Sequence, residues 1–186
     1  ALLMGALQHV DVPGYAAMIL RKTLSDLKQP GALLDRAHSW LSNTDAKWVA
    51  GEHTYYFPTT EMDGSPGEPS KITFGYIGQT DAYTRYQGIE LQYCAYDELT
   101  QHWEDDYLYL FSRLRRNKCP EHGQEPDPKC VNCSRRSGVP IRMRSASNPG
   151  GVGHQWVRDR FDIGEAPDPD NPGQVRYVGR HKDRPY

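Results

Sequence analysis

No stretch of this 186-residue chain holds the roughly 18–20 consecutive apolar residues that cross a bilayer, so no membrane-spanning helix is expected. The apolar run Ala1–Leu7 lacks a basic flank and a convincing cleavage site, which argues against a secretory signal. Strong charge of one sign is missing too. With 22 Lys+Arg against 24 Asp+Glu the formal net charge is −2, and no global basic field advertises nucleic acid. Contact with DNA would have to be local, and Arg113, Arg115, Arg116, Arg135, Arg136, Arg142 and Arg144 are the densest basic supply. There is no internal repeat. The pattern Gly-x-x-x-x-Gly-Lys is also absent, so these residues contain no glycine loop of the kind that cradles phosphates.

What remains is the composition of an ordinary globular domain, 37% apolar and 25% charged, of a length that suits one α/β domain with a real core. Pro and Gly cluster at 58–69, 120–128 and 164–173, which read as loops. The chain starts on an apolar helix already under way and ends on Arg-Pro-Tyr, as an internal piece of a longer protein would.

Tyr15–Leu20 is a short continuous apolar run, the pattern of a strand buried on both faces of a parallel sheet, and it leads directly into Arg21-Lys22-Thr23. Leu24–Leu41 has helical spacing broken at Pro30-Gly31, with Ser25 or Asp26 as a cap. His53–Phe57 and Lys71–Ile77 alternate polar and apolar residues around a long loop and predict a β-hairpin. Leu91–Tyr96 is a second buried strand, Gln101–Arg116 an amphipathic helix with Trp103, Tyr107, Leu110, Phe111 and Leu114 on one side, Val139–Ser145 a third strand, and His154–Phe161 a helix. Strands and helices alternate, which predicts a sheet with crossover connections.

The second strand ends in Asp97-Glu98. In open α/β folds ligands bind at the C-terminal edge of the sheet, and in nucleotide hydrolases an acidic pair at that point divides two tasks. The first carboxylate holds Mg²⁺ and the second orients and polarises the attacking water. Alone, the pair also fits a solvated turn. Its weight comes from the third strand, which ends in Ser145-Ala-Ser-Asn-Pro-Gly-Gly151, small hydroxyls and an amide on a flexible turn that can sense a γ-phosphate.

Ile19–Thr23, Tyr86-Gln-Gly88, Tyr96–Thr100, Leu110–Arg115 and Met143–Gly151, followed by Gly153-His-Gln-Trp156, stand in an order in which the chain resembles the large terminase subunits of tailed phages. The resemblance covers roughly residues 1–162. It implies a RecA-like P-loop NTPase of the ASCE type, a mostly parallel sheet flanked by helices, truncated at its N-terminus. It implies Asp97 as the Mg²⁺ carboxylate, Glu98 as the catalytic base, and Ser147 and Asn148 as the coupling motif. Arg85, twelve residues before Asp97, stands where these proteins carry a catalytic arginine, and Arg21 is the competitor. The cofactors implied are Mg²⁺ and ATP. The implied partners are double-stranded viral DNA, the portal protein, the small terminase subunit and further copies in a ring, in the bacterial host cytoplasm. Without the phosphate loop and the nuclease domain, activity is expected of the parent protein and little of these residues. A helicase-like ATPase fragment and a zinc-stabilised binding module without catalysis are the alternative readings.

Cys119-Pro-Glu-His122 and Cys130-Val-Asn-Cys133 form C-x2-H-x7-C-x2-C, two close-spaced ligand pairs of the kind a tetrahedral zinc needs. The stretch between them cannot build a core of its own, so Zn²⁺ in a structural role is expected, in an insertion spanning 117–137. A disulfide is the alternative, disfavoured in a reducing cytoplasm. Residues 163–186 read as a linker or the start of a next segment.

Overall fold

The computed structural model describes all residues except 79–81, 124, 168–169, 173–174 and 180–186. Its centre is a six-stranded sheet. β1 (Ala16–Arg21) lies between β4 (Ser70–Tyr76) and β5 (Tyr93–Asp97), and β6 (Arg142–Ala146) pairs with β5 on its outer side. These four strands run parallel. β2 (Lys47–Val49) and β3 (Thr54–Phe57) extend the other edge in antiparallel register.

The apolar runs are continuous because both faces are covered. In β1, Ala17 and Ile19 point into one core and Ala16, Met18 and Leu20 into the other, while β5 sends Tyr93 and Ala95 to the first and Cys94 and Tyr96 to the second. The first core is closed by Leu2, Leu3 and Ala6 of α1 (Leu2–Leu7), Leu27 of α2 (Leu24–Lys28), and Leu34, Ala37 and Leu41 of α3 (Leu33–Leu41). Tyr107 and Leu110 of α4 (Glu104–Phe111) and Val157 of α6 (His154–Arg160) close the second. The fold is α/β, a mostly parallel sheet with helices on both sides.

The structure differs locally from the sequence reading. α2 is capped by Thr23 rather than Ser25 or Asp26: its hydroxyl accepts from Asp26 N at 3.1 Å and donates to the Asp26 carboxylate at 2.6 Å. The helix expected over 101–116 shortens to α4, after a 3₁₀ turn at Leu99–Gln101. Trp103 and Phe111, placed by periodicity on the apolar side, are exposed at its ends. β7 (Ile163–Pro167) pairs in antiparallel register with β8 (Val175–Gly179). α5 (Val131–Ser137) follows the cysteine-rich loop.

Candidate functional site

Because β1, β5 and β6 are parallel and in adjacent register, their C-terminal ends meet at one edge of the sheet. Leu20 stands opposite Tyr96, and Asp97 opposite Ala146. The acidic pair and the Ser-Asn turn therefore come from neighbouring strands, though the residues are some fifty apart in sequence.

Asp97 points toward β1, where Arg21 Nε lies 3.4 Å from its Oδ2. Burial raises the Asp97 carboxyl above the usual carboxylate range; Arg21 pulls it down, and Glu98 pushes it up. A half-buried carboxylate with incomplete compensation gains from a divalent cation. Glu98 turns the other way. Its backbone is left-handed (φ 58°, ψ 56°), unusual for a residue with a side chain, and the chain bends there off the strand. Both carboxylate oxygens then face Asn148, which donates its backbone N–H to Oε2 and its side-chain amide to Oε1, each at 3.3 Å.

The turn after Glu98 and the loop after β6 are locked together. Buried Thr100 donates its N–H to Ser147 Oγ at 3.0 Å, and its hydroxyl lies 2.8 Å from that oxygen and 2.9 Å from Asn148 O. Its carbonyl accepts from Gly153 N at 2.7 Å. The approach is so close that a Cβ on Gly151, itself at φ +81°, would fall 2.5 Å from Thr100 O. Trp156 Nε1 donates to His102 O at 2.9 Å, tying α6 to the same turn. Thr100, His102 and Trp156 were not among the sequence candidates. Thr100 and Trp156 stand inside the quoted motifs, but nothing in spacing alone says that they meet.

The two candidate arginines separate. Arg21 contacts Asp97. Arg85 is exposed on a 3₁₀ turn (Ala82–Tyr86), its guanidinium 4.6 Å from the centroid of the Tyr76 ring, and Tyr76 is the β4 residue opposite Arg21. Among the described residues no ion pair joins Arg85 to Asp97 or Glu98. Arg135 and Arg136 are not free for DNA. Arg136 is fully buried and bound through both terminal nitrogens to the Glu61 carboxylate, and Arg135 donates to Thr60 O and Asp11 O.

Cys119, His122, Cys130 and Cys133 converge, their ligand atoms all within 4.8 Å of one another. His122 Nδ1 is 3.4 Å from Cys133 Sγ and 3.8 Å from Cys119 Sγ, and the Cys119 and Cys130 sulfurs are 4.0 Å apart. A zinc tetrahedron with metal–sulfur bonds of about 2.3 Å and metal–nitrogen bonds of about 2.0–2.1 Å has edges of about 3.5–3.8 Å. The cluster has the chemistry and nearly the size to hold such an ion. The fourth cysteine, Cys94, is buried in β5, and burial pushes its thiol far up; it is core.

No protein-family model and no curated protein matches the sequence. Among solved structures, the large terminase of a thermophilic bacteriophage is similar to the chain at 14% identity and a TM-score of 0.49, as is the same protein in complex with ADP; in both the match covers 81% of this chain and 30% of that one. The ATPase domain of the Thermus phage P74-26 large terminase is similar at 12% identity and a TM-score of 0.41, over 80% of this chain and 53% of that one.

Proposed function

We propose that these residues are the hydrolysis and coupling part of an ATP-driven motor that packages viral DNA, as in the terminase large subunits whose motifs the sequence resembles. The observation that carries the reading is the bridge from Glu98 to Asn148 across the ends of two adjacent parallel strands, beside Asp97. Asp97 would hold Mg²⁺, which when bound screens the charge of the phosphates. Glu98 would accept a proton from the attacking water, in an orientation that Asn148 sets. Ser147 and Thr100 join that pair to α6, so a shift at the Glu98 carboxylate reaches a helix on the second face of the sheet. The glycine loop for the phosphates would come from elsewhere in the parent protein. Double-stranded DNA, the portal, the small terminase subunit and neighbouring copies in a ring would be its partners, in the host cytoplasm. Among the described residues no helix is long and apolar enough to cross a membrane.

The cysteine cluster would bind one structural Zn²⁺. Its place in the fold favours that role, since it lies in a loop joined to α5 and away from the C-terminal ends of β5 and β6. Asn117, at the start of that loop, donates to Pro13 O just ahead of β1, at the opposite edge of the sheet.

In the parent protein, Glu98→Gln should reduce ATP turnover by about 10²–10⁴-fold while nucleotide binding stays close to normal, because the amide keeps the shape but takes no proton. Turnover within a few fold of wild type would remove the reading. Arg21→Ala and Arg85→Ala, measured alongside, identify the arginine that serves the phosphates. The contact with Asp97 favours Arg21; the family resemblance favours Arg85.

A further inference from the structure

We propose that Asp127 is the outer partner that fixes His122 as an Nδ1 ligand of the metal. The inference rests on reading the cysteine cluster as a zinc site. It adds a residue that the ligand spacing does not contain, and it specifies which ring nitrogen meets the ion.

The two nitrogens of His122 face different neighbours. Nδ1 is turned toward the sulfurs of Cys133 and Cys119, at 3.4 and 3.8 Å. Nε2, across the ring, is turned toward Asp127 Oδ2 at 3.9 Å. A histidine that ligates through one nitrogen carries its proton on the other, and a carboxylate facing that N–H settles the tautomer, holds the ring plane and makes the ligating nitrogen more basic. At 3.9 Å the carboxylate faces Nε2 at ion-pair distance, and a closing of the loop by roughly 1 Å in the loaded site would make it a hydrogen bond.

Asp127 is seated independently of the histidine. Its Oδ1 accepts the Lys129 N–H at 2.8 Å, and its carbonyl accepts the Cys130 N–H at 3.0 Å. This turn leads directly into Cys130, the first ligand of the second pair. One residue thus ends the connector, starts the second knuckle and presents Oδ2 to the histidine of the first. The other carboxylate nearby, Glu121, faces the Cys130 sulfur at 3.8 Å instead and is not placed to orient the ring.

Asp127→Asn is a selective test, because the amide oxygen can still accept from Lys129 N while an NH₂ donor replaces Oδ2. That donor would face the Nε2–H donor of His122. Titration of the purified protein with Zn²⁺ against a competing chromophoric chelator should give one ion per chain for both proteins, with affinity about 10- to 100-fold lower in the variant. Nitrogen-15 NMR of the zinc-loaded wild type should show Nδ1 metal-bound and Nε2 protonated. Equal affinities in the two proteins, or binding through Nε2, would overturn the assignment to Asp127 while leaving the zinc site standing. A wild-type protein that takes up no zinc removes the site and this inference together. Asp127→Ala, which also loses the Lys129 contact, should bind no more tightly than Asp127→Asn; restoration of wild-type affinity by alanine would likewise overturn the proposal.

Discussion

His102 sits where burial and a neighbouring charge oppose its protonation. Its ring is buried, edge-on to Tyr96 at 4.9 Å between centroids, and among the described residues neither nitrogen has a hydrogen-bond partner. Burial, helped by the nearby Lys22 charge, pushes its pKa from 6.5 down to about 4. Between these values the unfolded chain binds a proton that the folded chain refuses. The stability this neutral ring confers is therefore complete above about pH 6.5 and is lost as the pH falls toward 4. Urea midpoints should drop between about pH 7 and about pH 5, and less steeply for His102→Phe, which keeps an aromatic against Tyr96 without a site to protonate. The same slope in both proteins would show that another group carries the acid sensitivity. Sequence alone offered His102 as one of seven histidines. Its neutrality follows from packing against the acidic-pair turn, a contact that no local pattern encodes.

At the scale of the element, α5 is the unusual one. It has seven residues, of which only Cys133 and Arg136 are buried, and Val131 is exposed. A helix this short is not stable by itself in water, and this one has almost no apolar face to dock. It is held at its start by the cysteine cluster and near its end by two arginines. Arg136 meets Glu61, and Arg135 reaches Thr60 and Asp11, so the helix pins the loop between β3 and β4. Arg136→Ala should destabilise the protein by about 3 kcal/mol, chiefly because the largely buried Glu61 carboxylate loses its partner. Arg136→Ala combined with Glu61→Leu should recover part of that loss. Chemical denaturation of the two variants measures both effects, and a single variant as stable as wild type would mean that the pair contributes nothing. Periodicity could not have shown this, because in sequence Arg135-Arg136 looks like any surface basic pair.

For the whole molecule, the sheet and the cysteine-rich loop are stabilised by different means. The sheet rests on two apolar layers, while in the loop four Cys and His side chains converge and would hold it through the proposed zinc. Stripping the proposed zinc with a chelator should abolish amide-exchange protection in 117–137 and weaken it in 59–67, where the arginines dock, and protection in β1 and β5 should remain. Loss of protection throughout the sheet would mean that the two parts unfold as one. This division of labour also explains what could be read in advance. Of the four parallel strands, β1 and β5 are legible in the sequence, because a continuous apolar run is explained only by burial on both faces; β4 alternates and β6 is a mostly exposed edge strand. The acidic pair at a strand end is legible too, as are the four candidate metal ligands, because spacing is a local geometric property. Which distant groups share a site is a matter of strand pairing and loop path. Parallel pairing of β5 with β6 brings Asn148 onto Glu98, pairing of β5 with β1 gives Asp97 to Arg21 rather than Arg85, and the fold of the loop turns Asp127 toward His122. Such contacts depend on strand order and register, and those are set by the packing of all the layers together, a property no window of neighbouring residues contains.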